Sequence, residues 1–254
     1  GIRNIRREYI DLLRNYVPVV TQRAWEAAKN YYKNRYKIKM DEKEDYINAS
    51  YVSVGDDMMF ICTLFPYYVN LMKTVKSNVR NICRMMKIEK NLMSFGCDAL
   101  KSQEVMYILY TGWPDHFVAE SIKTCREVQA LILKYCRKRP VVVHCSADLR
   151  RTGTYAAFEM AIQKNKKNEM LVIPDVAKSI RDQRMDAIQN DQQYLFIYRM
   201  VLEVLIADQL LTKTLQVMNF IQEYDDLVRQ KRTENAKFEK FQKCREQYLR
   251  RFDN

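Results

Sequence analysis

Val141-Val142-Val143-His144-Cys145-Ser146-Ala147-Asp148-Leu149-Arg150-Arg151-Thr152-Gly153 is the stretch on which the reading of this chain turns. Three consecutive valines are too short and too β-branched a run for anything but a buried strand. The polar residues from His144 to Arg151 end it, and a helical pattern runs from about Thr152 to Lys164. Strand, polar loop and helix in that order gather backbone N–H groups and the positive end of a helix dipole at one spot, which is an anion site. Five residues separate Cys145 from Arg151. A thiol attacks phosphorus only when ionised, and loop amides with a helix N-terminus favour that form. A loop this short returns Arg151 to grip two phosphate oxygens through its planar fork. The same groups meet the charge that develops in the transition state. A cysteine after a valine strand would otherwise be read as packing.

Working outward, Val105 to Tyr110 is a compact apolar run suited to a buried strand, and it stops at Thr111-Gly112-Trp113-Pro114-Asp115-His116. Expulsion of an aryl oxygen by Cys145 needs a proton donor on the far side, and Asp115 on a closable loop supplies one. Both histidines of the chain, His116 and His144, fall within these two motifs. His144 beside the thiol is read as organising the loop by hydrogen bonding, which is compatible with a core position. In Gln189-Asn190-Asp191-Gln192-Gln193-Tyr194 the amides of Gln189 and Gln193, four apart and expected on one helical face, suit the orientation of a hydrolytic water. Tyr36, after Asn34-Arg35, is a candidate for stacking on a substrate ring.

The remaining pattern predicts two short helices over Arg6 to Tyr32, interrupted at Pro18, and strands at Asp45–Val52 and Met58–Thr63. Ile122, Cys125, Val128, Leu131, Ile132 and Tyr135 recur at helical steps, and Pro140 closes that helix. Val201 to Leu211 reads as core, and Thr212 to Arg251 as a charged amphipathic pair of helices.

At 254 residues without a linker-like tract, the chain is expected to fold as one α/β domain. Seven cysteines at irregular intervals argue for reduced thiols and a cytoplasmic setting, and no Cys/His cluster has zinc spacing. No apolar run reaches the length of a membrane helix. The net charge of +12 is spread along the chain with no nucleic-acid-binding signature beside it, so it is read as a solvated basic surface and no nucleic-acid partner is expected.

Asn34-Arg35-Tyr36, Asp45 to Tyr51, Trp113-Pro114-Asp115-His116, His144 to Gly153 and Arg181 to Gln193, in this order, resemble the tyrosine-specific phosphatase family; Arg181-Asp182-Gln183-Arg184 ahead of Gln189 further resembles its large nematode branch. The resemblance implies a twisted mixed sheet flanked by helices (α/β, α+β), with the Cys-x5-Arg loop between a central strand and a helix N-terminus. It implies a phosphatase domain over residues 1–205 and a basic helical extension over 206–254. It makes Cys145 the nucleophile, Arg151 the phosphate clamp, Asp115 the general acid, Gln189 and Gln193 the water-positioning pair and Tyr36 the phosphotyrosine stacker. Ser146, Ala147, Asp148, Leu149, Arg150, Thr152 and His144 would line the bound phosphate. The substrate would be a phosphotyrosine protein or peptide, with neither metal nor cofactor.

The departures are specific. Asp148, Arg150, Phe65 and Phe117 stand where the family carries glycine, and Ile38 stands where it carries an acidic residue. Glycine permits left-handed turns and close backbone approach. An aspartate beside a phosphate dianion adds like charge, about 3 kcal/mol at about 5 Å with an effective dielectric near 20. The stretch between Cys62 and Trp113 is short for the family, which predicts a reduced sheet. Two readings follow: a phosphotyrosine hydrolase weakened by Asp148 and Arg150, or an inactive phosphotyrosine- or partner-binding module.

Overall fold

The computed structural model describes residues 1–14, 16, 49–56, 58–64, 81–84, 90–95, 103–114, 117–136, 139–145 and 150–249. In chain order these form α1 (Ile2–Leu12), β1 (Ala49–Gly55), β2 (Met58–Leu64), β3 (Asn81–Arg84), β4 (Lys90–Phe95), β5 (Gln103–Leu109), α2 (Ile122–Cys136), β6 (Val141–Cys145), α3 (Arg151–Lys166), α4 (Ile173–Gln183), α5 (Asp191–Ala207) and α6 (Leu215–Leu249).

The six strands form one sheet in the order β1-β2-β6-β3-β5-β4. Four central strands, β2, β6, β3 and β5, run parallel, and antiparallel β1 and β4 close the two edges. β6 lies between β2 and β3, and all five of its residues are buried. A strand covered on both faces has no solvent side to alternate toward, which is why it reads as an unbroken valine run. The chain enters β6 from α2 and leaves it into α3, so the loop after Cys145 emerges at the carboxyl end of a central parallel strand. Open α/β sheets place ligands at that edge.

α3 packs on β1, β2 and β6 and against α4 and α5, while α2 packs on β3 and α5. Phe60 of β2 stacks on Tyr155 of α3 at 6.0 Å, and Tyr155 leans on Phe158. α1 lies on α4 and α5. Phe220 and Tyr224 of α6 join the same core, and Glu223 accepts a hydrogen bond from the Ile2 amide at 3.1 Å.

The mixed sheet, the strand at Met58 and the helices after Ser121 and Arg150 agree with the sequence. Several expectations are corrected. β6 continues through His144 and Cys145, because both residues pair with neighbouring strands, so the loop starts later than the polar residues suggest. The tail is one 35-residue helix and not two, since no proline or glycine interrupts Leu215 to Leu249. The apolar stretch after Val201 leaves the core before its end: α5 stops at Ala207 and Leu210 is exposed. The short middle still supplies β3 and β4. The second predicted N-terminal helix, all of residues 17–48 and Phe65 lie outside the described residues.

Candidate active site

Cys145 is the last residue of β6, level with Leu64 of β2, and 1% exposed. His144 pairs with Thr63 on one side and Arg84 on the other, and both ring nitrogens are shielded from solvent. Ser146, Ala147, Asp148 and Leu149 lie outside the described residues. The chain is next described at Arg150, the N-cap of α3.

Arg150 has φ −86 and ψ −74, in the right-handed region, so the expectation that position 150 needs glycine's conformational freedom is overturned. Its carbonyl accepts from the Thr154 amide at 3.1 Å and the Thr154 hydroxyl at 2.7 Å. Arg151 is the first helical residue, and α3 has no acidic residue in its first turn. Two arginines at the positive end of a helix dipole, with no carboxylate in that turn, favour an anion there. The turn is buried: Arg151 is 2% exposed and Thr152 fully covered, its hydroxyl without a partner among the described residues.

Arg151 also reaches the second motif. Its Nη1 donates to the Trp113 carbonyl at 2.6 Å. Trp113 is buried, edge-on to Phe196 of α5 at 5.1 Å, and its indole N–H donates to the Phe117 carbonyl at 2.9 Å. The Phe117 amide donates to the Pro114 carbonyl at 3.4 Å and the Glu120 amide to Gly112 at 2.7 Å, so the limbs on either side of residues 115 and 116 are tied together. Asp115 and His116 themselves lie outside the described residues, as do Tyr36 and Ile38. Gly112 is required by space: a Cβ there would sit 2.8 Å from the Tyr110 ring.

The glutamines meet differently from the sequence expectation. Gln189 precedes α5, whose N-cap is Asn190, so the two do not share a helical face. The Asn190 side chain accepts from the Gln193 amide at 2.9 Å, and the side-chain oxygen of Gln193 accepts from the Gln189 amide at 3.0 Å. This crossed pair, a variant of the capping box with glutamine as the returning side chain, fixes the backbone of Gln189 while its side chain stays exposed. Gln193 is fully buried.

The turn before them is held by Arg181, to which the sequence reading gave no role. Its guanidinium donates to the carbonyls of Ala187 at 2.8 Å, Ile188 at 2.7 Å and Leu13. Ile188 has φ 60, a left-handed conformation that costs a β-branched residue energy and needs such clamping. The turn in turn presses on α3, where a Cβ on Gly153 would lie 2.6 Å from that of Ala187. Burial and contacts of this kind have no signature in residue spacing.

On α3, away from Cys145 in sequence, Glu159 is 1% exposed and accepts from the amides of Gln129 and Gln163, each at 2.7 Å. Burial pushes its carboxyl above the ordinary range, against the lowering effect of the two amides. Among the described residues no His, Cys, Asp and Glu cluster is arranged to hold a metal, and no helix is long and apolar enough to cross a membrane.

The chain is similar to known proteins. The chain resembles tyrosine-protein phosphatase non-receptor type 20 of Mus musculus, 35% identical over 105 residues, covering 41% of this chain and 25% of the relative. The Homo sapiens protein of that name is 26% identical over 232 residues, covering 68% of this chain and 54% of the relative. The chain thus spans about half or less of the length of these curated relatives. Among solved structures, the protein tyrosine phosphatases of Trypanosoma cruzi and Trypanosoma brucei share the fold, with TM-scores of 0.66 and 0.64 and identities of 20% and 21%. Each comparison covers 80% of this chain, with 91% and 92% of the respective trypanosomal chain. The model of the protein-tyrosine phosphatase family matches residues 66–203, just over half of the chain and the part that carries both the Cys145 strand and the Gln189 turn, and the chain belongs to that family.

Proposed function

We propose that this chain hydrolyses phosphotyrosine in proteins or peptides through a cysteinyl-phosphate, at a rate lowered by Asp148. The observation that carries the reading is the buried contact between Arg151 and the Trp113 carbonyl, which joins the anion end of α3 to the loop bearing Asp115. In the first step the Cys145 thiolate forms a bond to phosphorus, the bond to the tyrosyl oxygen breaks, and the Asp115 carboxyl delivers its proton to that oxygen. Arg151 and the amides of residues 146–151 bear the charge on the equatorial oxygens. In the second step a water held by Gln189, with Gln193 behind it, attacks phosphorus, Asp115 takes the proton, and the thiolate leaves. Tyr36 stacks on the substrate ring, Thr152 and Ser146 serve the loop and leaving thiolate, and His144 holds the loop's strand end.

The regular backbone at Arg150 supports Asp148 as the principal handicap, by charge. We assign the phosphatase domain to residues 1–205 and the packed helical extension to 206–254; the irregular cysteines support a cytoplasmic setting. Turnover of a phosphotyrosine peptide should vanish in Cys145→Ser and fall by about 10² to 10⁴ in Asp115→Ala with KM little changed. Binding of the peptide without turnover by the unaltered chain would instead support the binding-module reading.

A further inference from the structure

We propose that Tyr9 of α1 is a positioning residue for the hydrolytic step, acting on Gln189 through the peptide group that joins it to Ile188. The inference rests on the hydrolase reading, in which Gln189 holds the attacking water. The family match begins at residue 66, so α1 lies outside it. Even so, α1 and its C-cap are fastened to the segment around Gln189 at several points. Arg6 pairs with Asp191, Glu8 accepts from the Tyr194 and Tyr198 hydroxyls at 2.6 and 2.7 Å, and the Leu13 carbonyl accepts from Arg181. Tyr9 is buried against the Tyr194 ring, 5.7 Å between centroids, and its hydroxyl donates to the Ile188 carbonyl at 3.3 Å.

That carbonyl and the Gln189 N–H belong to one planar peptide group. The carbonyl is taken by Tyr9 and by Arg181 at 2.7 Å, and the N–H by the Gln193 side chain at 3.0 Å, so the plane is held from both sides. It needs holding, because Ile188 is a β-branched residue in the left-handed region at φ 60. Leaving that region would turn the peptide groups before and after Ile188. Arg181 holds the first at the Ala187 carbonyl, and Tyr9 with Arg181 holds the second. A turn of the second plane changes φ of Gln189 and redirects its exposed side chain. Burial raises the Tyr9 hydroxyl above the ordinary tyrosine range, so it stays a donor at neutral pH. Tyr9→Phe removes this one bond and keeps the ring.

The rate constant for hydrolysis is phosphate release from 4-nitrophenyl phosphate divided by the acid-quenched phosphoenzyme present. In Tyr9→Phe it should fall about 3- to 10-fold, while kcat/KM, which reports phosphoryl transfer to Cys145, should change under about 2-fold. General damage to the fold would lower both. In a Gln189→Ala background Tyr9→Phe should change the hydrolysis constant under about 2-fold, since it acts through that side chain. Amide exchange at Gln189 should quicken about 5-fold in Tyr9→Phe, with Met200 and Val201 of α5 unchanged. An unchanged hydrolysis constant, an equal loss in kcat/KM, or the full effect persisting without the Gln189 side chain overturns the proposal. If the parent forms no phosphoenzyme and releases no phosphate, the hydrolase reading fails instead, and exchange at Gln189 alone decides whether Tyr9 pins the turn.

Discussion

Two helices of this protein solve the problem of burial in opposite ways. In α3 every residue from Arg151 to Ile162 is buried, and the helix is enclosed by β1, β2, β6, α4 and α5. In α6 the buried side chains among the described residues are Phe220 and Tyr224, while Leu215 and Met218 face solvent. A helix enclosed on all sides leaves its sequence little freedom, because each side chain has a neighbour at contact distance. A helix held at a few points leaves its other positions free to vary. The difference separates the helix that begins just after the Cys145 strand, enclosed by the core, from the helix that rests on that core through two buried side chains.

The sharpest way to break the comparison is at Gly153. Alanine for glycine inside a helix ordinarily stabilises by about 0.5–1 kcal/mol. Here the added methyl meets the Ala187 Cβ at 2.6 Å and its backbone at 3.0 Å, so Gly153→Ala should destabilise by about 1–3 kcal/mol and displace the Gln189 turn. Thermal unfolding measures it, with Arg229→Ala on the exposed face of α6 as the contrast, expected within about 0.5 kcal/mol of the parent. Equal shifts for the two would erase the distinction between the helices.

A smaller effect is expected at Glu159, which lies inside α3's enclosure. Burial raises its carboxyl value in the folded state, so the native protein holds that proton more firmly than the unfolded chain does. The stability it contributes is therefore full below the unfolded value and is lost as pH rises through the folded one. Glu159→Gln, which stays neutral, should melt higher than the parent at pH 7 to 8 and converge with it near about pH 4. Melting curves at several pH values check this, and a constant gap would contradict it.

The sequence made the centre of the fold more legible than its margins. Val141 to Val143 and the helix after Arg150 are recognisable because a strand buried on both faces and a helix starting at an anion loop both leave local patterns. β3, the four residues Asn81 to Arg84, has no such pattern; it is a strand because β5 and β6 flank it. The tail, expected as two helices over Thr212 to Arg251, is one because nothing from Leu215 to Leu249 breaks a helix. Spacing singled out Cys145, Arg151 and Trp113, and folding brings Arg151 to the Trp113 carbonyl. The crossed pairing of Gln189 and Gln193, the Arg181 clamp on the Ile188 turn and the Arg232 contact to Phe117 were not legible there, since each depends on groups brought together by folding.

The central claim, that Cys145 accepts a phosphoryl group from phosphotyrosine, is tested most directly by trapping it there. Gln189 is exposed, so Gln189→Ala should fold like the parent and slow the attack of water on the intermediate more than its formation. Rapid acid quench of this variant with phosphotyrosine peptide, followed by peptide mass analysis, should show one added phosphoryl group on the Cys145 peptide and none in the variant that also carries Cys145→Ser. Peptide bound at saturation with no phosphoryl group on Cys145 at any time, and no tyrosine product released, would contradict the account.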